Sequence, residues 1–201
     1  MPFSTGIFKK ETIDYIKDNF SKDTRILDIG AGAGGYAGYL LEAGYRNLDC
    51  LEVFEPYVEM FGLRDKYNNV YIDNVLNKDS EFFKQFDLII MGDVLEHIDY
   101  ETSKEFMKRL NVTNLIVALP FSGEQGEVYG NIHETHLQTD LDFIKFMNTY
   151  EGFFPLCLFY DYAVYINRPL NYFYTLGHLP DNYVDYIANN FNIEKQIAVE
   201  Y

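Results

Sequence analysis

The chain has no tryptophan and only two cysteines, Cys50 and Cys157. Cys50 falls in an apolar run that reads as a core strand, so a disulfide framework is not expected; two free thiols in a reducing cytoplasm are. Basic residues are also scarce: 16 Lys and Arg stand against 31 Asp and Glu, a formal net charge of −15. Lys9-Lys10 and Lys108-Arg109 are the only adjacent basic pairs. Such a surface repels a phosphate backbone, so no nucleic-acid partner is expected. No apolar run is long enough to span a membrane, and the first ten residues lack a signal-peptide core, so no membrane partner is expected either. Repeats, low-complexity stretches and linkers are absent. The 201 residues suit one domain with a full core.

What the chain has in quantity is aromatic surface, with 18 Tyr and 17 Phe, more of it expected in core and surface packing than in a site. It also has one concentrated glycine segment. Residues 26–29 form a short apolar run that reads as a buried strand. The run passes into Gly30, Ala31, Gly32, Gly34 and Gly35, and then into a helix-like stretch, 36–42. Strand, glycine turn and helix build a nucleotide site beyond the carboxyl end of the strand, because glycine lets backbone turn sharply and approach a ligand.

Two ligands compete for this loop. Gly30-x-Gly32-x-x-Gly35 fits a dinucleotide fingerprint, with Glu52 at about the right distance for a ribose. Asp28-x-Gly30-x-Gly32-x-Gly34 is a different pattern, with a carboxylate two residues before the first glycine. A pyrophosphate is poorly served there. S-adenosylmethionine (SAM), with a sulfonium, an ammonium and no phosphate, is not. The second pattern resembles the first motif of class I SAM-dependent methyltransferases.

That resemblance implies an α/β fold: a Rossmann-like three-layer α/β/α sandwich with a seven-stranded, mostly parallel sheet ending in an antiparallel hairpin. It covers residues 25–167 by motif order. A single methyltransferase domain is expected over 1–201, with a leading helix within 1–24 and a C-terminal extension over 168–201. The residues agree. Residues 5–20 carry apolar positions at helical spacing, and this helix either covers the cofactor or packs on the sheet. Further strands are expected over 48–53, 70–75, 87–91 and 114–120, with helices over 57–67, 99–110 and 139–150. Stretches 153–160 and 162–167 alternate around Asp161 as a hairpin. The tail holds a helix, 182–191, and a last strand, 195–199; it covers the substrate or makes a homodimer contact.

Glu52 ends the second strand, where an acid can accept from both ribose hydroxyls; Glu55 is its rival but precedes Pro56 at a helix start. The resemblance implies that Asp73 accepts from the adenine amino group while Asn74 and Val75 line the ring. Gly92, Asp93 and Val94 turn at the end of the fourth strand, opposite the glycine loop. The Leu95-Glu96-His97 triplet that follows is similar to the fourth-strand motif of many small-molecule methyltransferases. Asp28, Gly30, Ala31, Gly32 and Gly34 complete the expected cofactor set.

Residues 121–137 leave the carboxyl end of the fifth strand and should hang over the methyl side of the cofactor. They carry His133, Glu134 and His136. Methyl transfer from a sulfonium is a direct displacement, so the protein supplies alignment and a nucleophile in the right protonation state. A hydroxyl acceptor needs a base or a metal, and the acids and histidines here point to oxygen. Two versions follow. In one, His133 or His136 is the general base and Glu134 orients it. In the other, Asp93, Glu96, His97 and His136 gather a divalent metal. Asp93-x-x-Glu96-His97 resembles the Glu-x-x-Glu-His motif of metal-dependent O-methyltransferases, with Asp in place of the first Glu. Sugar, polyketide and phenol acceptors are all compatible. A non-catalytic SAM-binding protein and a nicotinamide-dependent oxidoreductase are the alternatives.

Overall fold

The structure is a computed structural model describing residues 5–200. The first four residues of the leading segment and Tyr201 lie outside the described residues.

Five parallel strands form the first half of one sheet: β1 (Ile26–Ile29), β2 (Leu48–Glu52), β3 (Asn69–Ile72), β4 (Leu88–Gly92) and β5 (Leu115–Pro120). β1, β2 and β4 are buried at every position. This is why they read as continuous apolar runs: a parallel sheet is covered by helices on both faces. β6 (Phe154–Leu158) and β7 (Tyr162–Ile166) form the expected hairpin, and β7 pairs antiparallel with both β5 and β6. The sheet order is β3-β2-β1-β4-β5-β7-β6-β8-β9.

The expected strand count is corrected from seven to nine. The tail is part of the sheet. It extends the sheet with β8 (Tyr172–Leu176), parallel to β6, and β9 (Lys195–Val199), parallel to β8. The hairpin leaves the outer edge of β6 unpaired, and backbone groups at such an edge need partners. β8 supplies them.

Helices flank the sheet: α1 (Lys9–Asn19), α2 (Gly35–Glu42), α3 (Pro56–Met60), α4 (Ser80–Phe83), α5 (Tyr100–Leu110), α6 (Phe143–Thr149) and α7 (Asp181–Asn190). Alternate strand residues feed two core layers, Leu27 and Ile29 on one face and Ile26 on the other. The expected helix over 57–67 is broken at Gly62, whose φ of 58° ends α3 and starts a 3-10 turn, Leu63–Asp65. α6 begins later than expected because Asp142, not Thr139 or Asp140, caps it by accepting from the Lys145 amide. The strand order reverses between β1 and β4, which opens a crevice at their carboxyl ends.

Candidate active site

The crevice is a cavity of about 290 Å³ walled by the ends of β1, β2 and β4, the loop after β3, and part of the 121–137 loop. Of the residues expected to hold a cofactor, Asp28, Gly30, Ala31, Gly32, Glu52, Asn74, Val75, Gly92, Asp93 and Val94 line it. Gly30 has φ +69°, and a Cβ there would come within 2.3 Å of Val94 Cγ2. The position therefore requires glycine for its conformation and for its space.

Glu52 is 3% exposed and is tied to the glycine loop. One oxygen accepts from the Gly32 amide at 2.9 Å and the other from the Phe54 amide at 2.9 Å. Burial raises its pKa, and these amides oppose the rise. Asp28 is held by a short hydrogen bond from the Tyr67 hydroxyl. Burial pushes its carboxyl up to about 6 against the pull of Tyr67 and Lys9. Asp93 sits at φ 55°, in the left-handed region, and accepts from the Tyr162 hydroxyl at 2.8 Å. Burial raises it to about 6 as well, with Lys9 and Tyr162 opposing.

Two expected cofactor residues lie off the wall. Gly34, at φ 73°, is the left-handed residue that starts α2. Asp73 is turned outward: it pairs with Lys78 Nζ at 2.7 Å and accepts from the Asn77 side chain and the Asn74 amide, both at 2.8 Å. Asn74, Val75 and Leu76 form the wall in its place.

A second cavity, about 280 Å³, adjoins the first. Asp93 and His97 line both, so they form the common wall. Glu96 and His136 line the second cavity. Glu96 is 2% exposed, and neither carboxylate oxygen has a hydrogen-bond partner among the described residues. His97 Nε2 stands 3.8 Å from Glu96 Oε1. The His97 and His136 rings lie 4.9 Å apart. Each Nδ1 sits 3.1 Å from a carbonyl oxygen, of Thr135 and Gly123 respectively. A proton on Nδ1 in that position leaves Nε2 as a lone pair. Burial holds His97 down at about 4 and lowers His136 too, so both rings are neutral at pH 7.

One donor atom each from Glu96, His97 and His136 lies within 4.8 Å of the others. A buried carboxylate with unmet oxygens and two imidazole lone pairs suit a divalent cation. Asp93, the fourth member of the expected set, lines the same cavity and accepts from Tyr162 but is not one of the three tightly grouped donors.

The expected orientation of a histidine by Glu134 is corrected. A 3-10 turn, Ile132–Glu134, directs Glu134 to the first cavity, where its oxygens lie 3.4 Å from the side-chain amides of Asn131 and Gln125. His136 is oriented by the Gly123 carbonyl. His133 is exposed and lines the first cavity, away from His136. Sequence reasoning missed Lys9, Tyr36, Tyr67 and Tyr162. Tyr36 directly follows the glycine loop, whereas Lys9, Tyr67 and Tyr162 belong to no motif and reach the site from other elements.

The family described as "Methyltransferase domain" matches residues 8–112. The chain belongs to this family. It carries a methyltransferase domain over about half of its length. Among solved structures, the methyltransferase is similar to magnesium protoporphyrin IX methyltransferase (ChlM) from Synechocystis PCC 6803 with bound SAM. They share 14% identity over 79% of this chain and 76% of that one, with TM-score 0.56. The N-terminal domain of EvdMO1 with bound SAH shares 16% identity over 81% of this chain and 80% of that one, with TM-score 0.55. A SAM-dependent methyltransferase from Archaeoglobus fulgidus shares 21% identity over 59% of this chain, with TM-score 0.46; the chain spans 54% of that protein. No curated protein matches in sequence. The cavity suits a cationic donor: the Gly30 turn admits close approach, and acidic side chains, not basic ones, flank it.

Proposed function

We propose that the methyltransferase transfers the methyl group of SAM to an oxygen of a small acceptor seated in the second cavity. The observation that carries this reading is the Glu96–His97–His136 cluster beside the wall shared by the two cavities. SAM supplies a methyl group already activated on a sulfonium. In the donor cavity Glu52 accepts from the ribose, Asn74, Val75 and Leu76 take the adenine, and Asp28 and Asp93 provide the negative field that a cationic donor needs. Reaction breaks the S–CH3 bond and forms an O–CH3 bond, and the acceptor's hydroxyl proton must leave.

His136 takes that proton. His136 lines the acceptor cavity, and its Nδ1 is anchored on the Gly123 carbonyl, which leaves Nε2 to accept. The unpartnered oxygens of Glu96 favour a second reading, in which Glu96, His97 and His136 hold a divalent cation. Such a cation would supply Lewis acidity that lowers the pKa of a hydroxyl. The net charge of −15 supports small acceptors over nucleic acids, and two buried free thiols support a cytoplasmic enzyme. Among the described residues, no helix is long and apolar enough to cross a membrane.

The test is methyl transfer from labelled SAM to a panel of hydroxy compounds, with and without a chelator. Labelled ether products support the reading. SAH binding with no transfer to any oxygen, or transfer only to nitrogen or sulfur, overturns it. Loss of transfer with chelator selects the cation version.

A further inference from the structure

Lys9 is a basic side chain that the fold has removed from water; burial lowers its pKa, and the charges of Asp93 and Asp28 oppose that fall. It opens α1, is 3% exposed, and its ammonium lies 3.8 Å from the centroid of the Tyr36 ring. The charges that face it most strongly belong to Asp93 and Asp28, which both line the donor cavity. Tyr36 lines that cavity too, whereas Lys9 does not. The ring is closely packed: a Cβ on Gly92 would fall 2.5 Å from Tyr36 Cε2. Lys9 therefore stands one aromatic ring behind the pocket, at the start of α1.

We propose that Lys9 is a positioning residue whose charge, set behind Tyr36, weakens the hold of Asp28 and Asp93 on the cationic donor relative to its neutral-sulfur product. The inference rests on the reading of this crevice as the SAM site. Two buried carboxylates alone would bind a sulfonium tightly in the ground state. During transfer the positive charge leaves sulfur, so that attraction fades on the way to the transition state. Ground-state attraction of this kind slows the chemical step. A fixed cation nearby cancels part of it, and the neutral thioether of S-adenosylhomocysteine (SAH) is indifferent to the change.

The experiment is calorimetry of the full chain with SAM and with SAH, on wild type, Lys9→Met, Lys9→Gln and Lys9→Arg. It is run at pH 8, above the value of about 6 to which Asp28 and Asp93 are raised. In Lys9→Met or Lys9→Gln the ratio Kd(SAH)/Kd(SAM) should rise about fivefold, the scale expected for losing a unit charge one side chain away from the ligand. Lys9→Arg should stay within about twofold of wild type, because the charge is kept. A merely structural role for Lys9 would weaken both ligands together, so an unchanged or lower ratio in both neutral variants overturns the inference. Wild-type protein that binds neither ligand defeats the cofactor reading, and the role of Lys9 falls with it. Wild-type binding with a flat ratio removes Lys9 alone.

Discussion

The Tyr162 hydroxyl donates to Asp93 Oδ1 at 2.8 Å, across 69 residues of sequence. This bond ties the end of β4 to β7 at the wall shared by the two cavities. It also opposes the rise in the Asp93 pKa that burial causes. In Tyr162→Phe the Asp93 carboxyl should titrate higher, because a donor to its charged form is gone. The acidic limb of the rate profile should move to higher pH, with kcat/KM at pH 7 down about tenfold, the scale of one lost hydrogen bond to a charged group. A profile superimposable on wild type would show that the bond is structural only.

Asp28 gives the apo protein a pH-dependent stability of defined sign. Its folded pKa, about 6, lies above the ordinary carboxyl value of 3.8, so the folded state binds the extra proton. The stabilisation is full below about pH 4 and is lost as pH rises through about 6. Asp28→Asn removes the titration and can still accept from Tyr67. Relative to wild type, the variant should gain about 2 kcal/mol between pH 4 and pH 7.5, read from urea midpoints. SAM binding should weaken in the same variant. An equal stability difference at the two pH values would contradict the burial of an ionising Asp28.

His136→Ala should leave SAH affinity within about twofold and reduce methyl transfer about a hundredfold, the usual scale for a lost general base. Calorimetry and turnover on one preparation separate the two effects. Turnover equal to wild type would remove His136 from the chemistry.

Divalent cations distinguish the two versions of acceptor activation without any acceptor. If Glu96, His97 and His136 form a cation site, Mn2+ or Mg2+ should raise the melting temperature of wild type by several degrees, through preferential binding to the folded state. Glu96→Gln should abolish that shift. Without added cation, the same variant should be as stable as wild type or more so, since it replaces a buried carboxyl with no hydrogen-bond partner among the described residues. No cation-dependent shift in wild type would leave His136 as a base alone.

Gly30→Ala should lose cofactor binding and about 2–3 kcal/mol of stability, from a positive φ and a steric clash together. The clash is with the Val94 side chain, 2.3 Å from where the new Cβ would sit, so Val94→Ala should restore part of the stability. It cannot restore the part due to φ +69°. Thermal melts of the single and double variants measure each share.

Contiguous sequence determined the strand–glycine–helix unit, the acid ahead of the first glycine and the acid ending β2. Each is a local pattern, because a short run of neighbouring residues carries both the turn geometry and the charge. The apolar runs of β1, β2 and β4 were legible for the same reason: burial on both faces leaves few polar positions to confuse them. Tertiary structure alone decided which side chains complete the site. Tyr67 reaches Asp28 across 39 residues, and the opening helix sets the charge of Lys9 against those of Asp28 and Asp93. Tertiary structure likewise turned Asp73 onto Lys78, sent Glu134 to the cofactor side and gathered Glu96, His97 and His136. It also added β8, since an unpaired edge at β6 is visible only once the sheet is assembled, whereas the last strand, β9, was already legible over 195–199. Backbone turns are properties of a segment, whereas burial and charge pairing are properties of what packs against it.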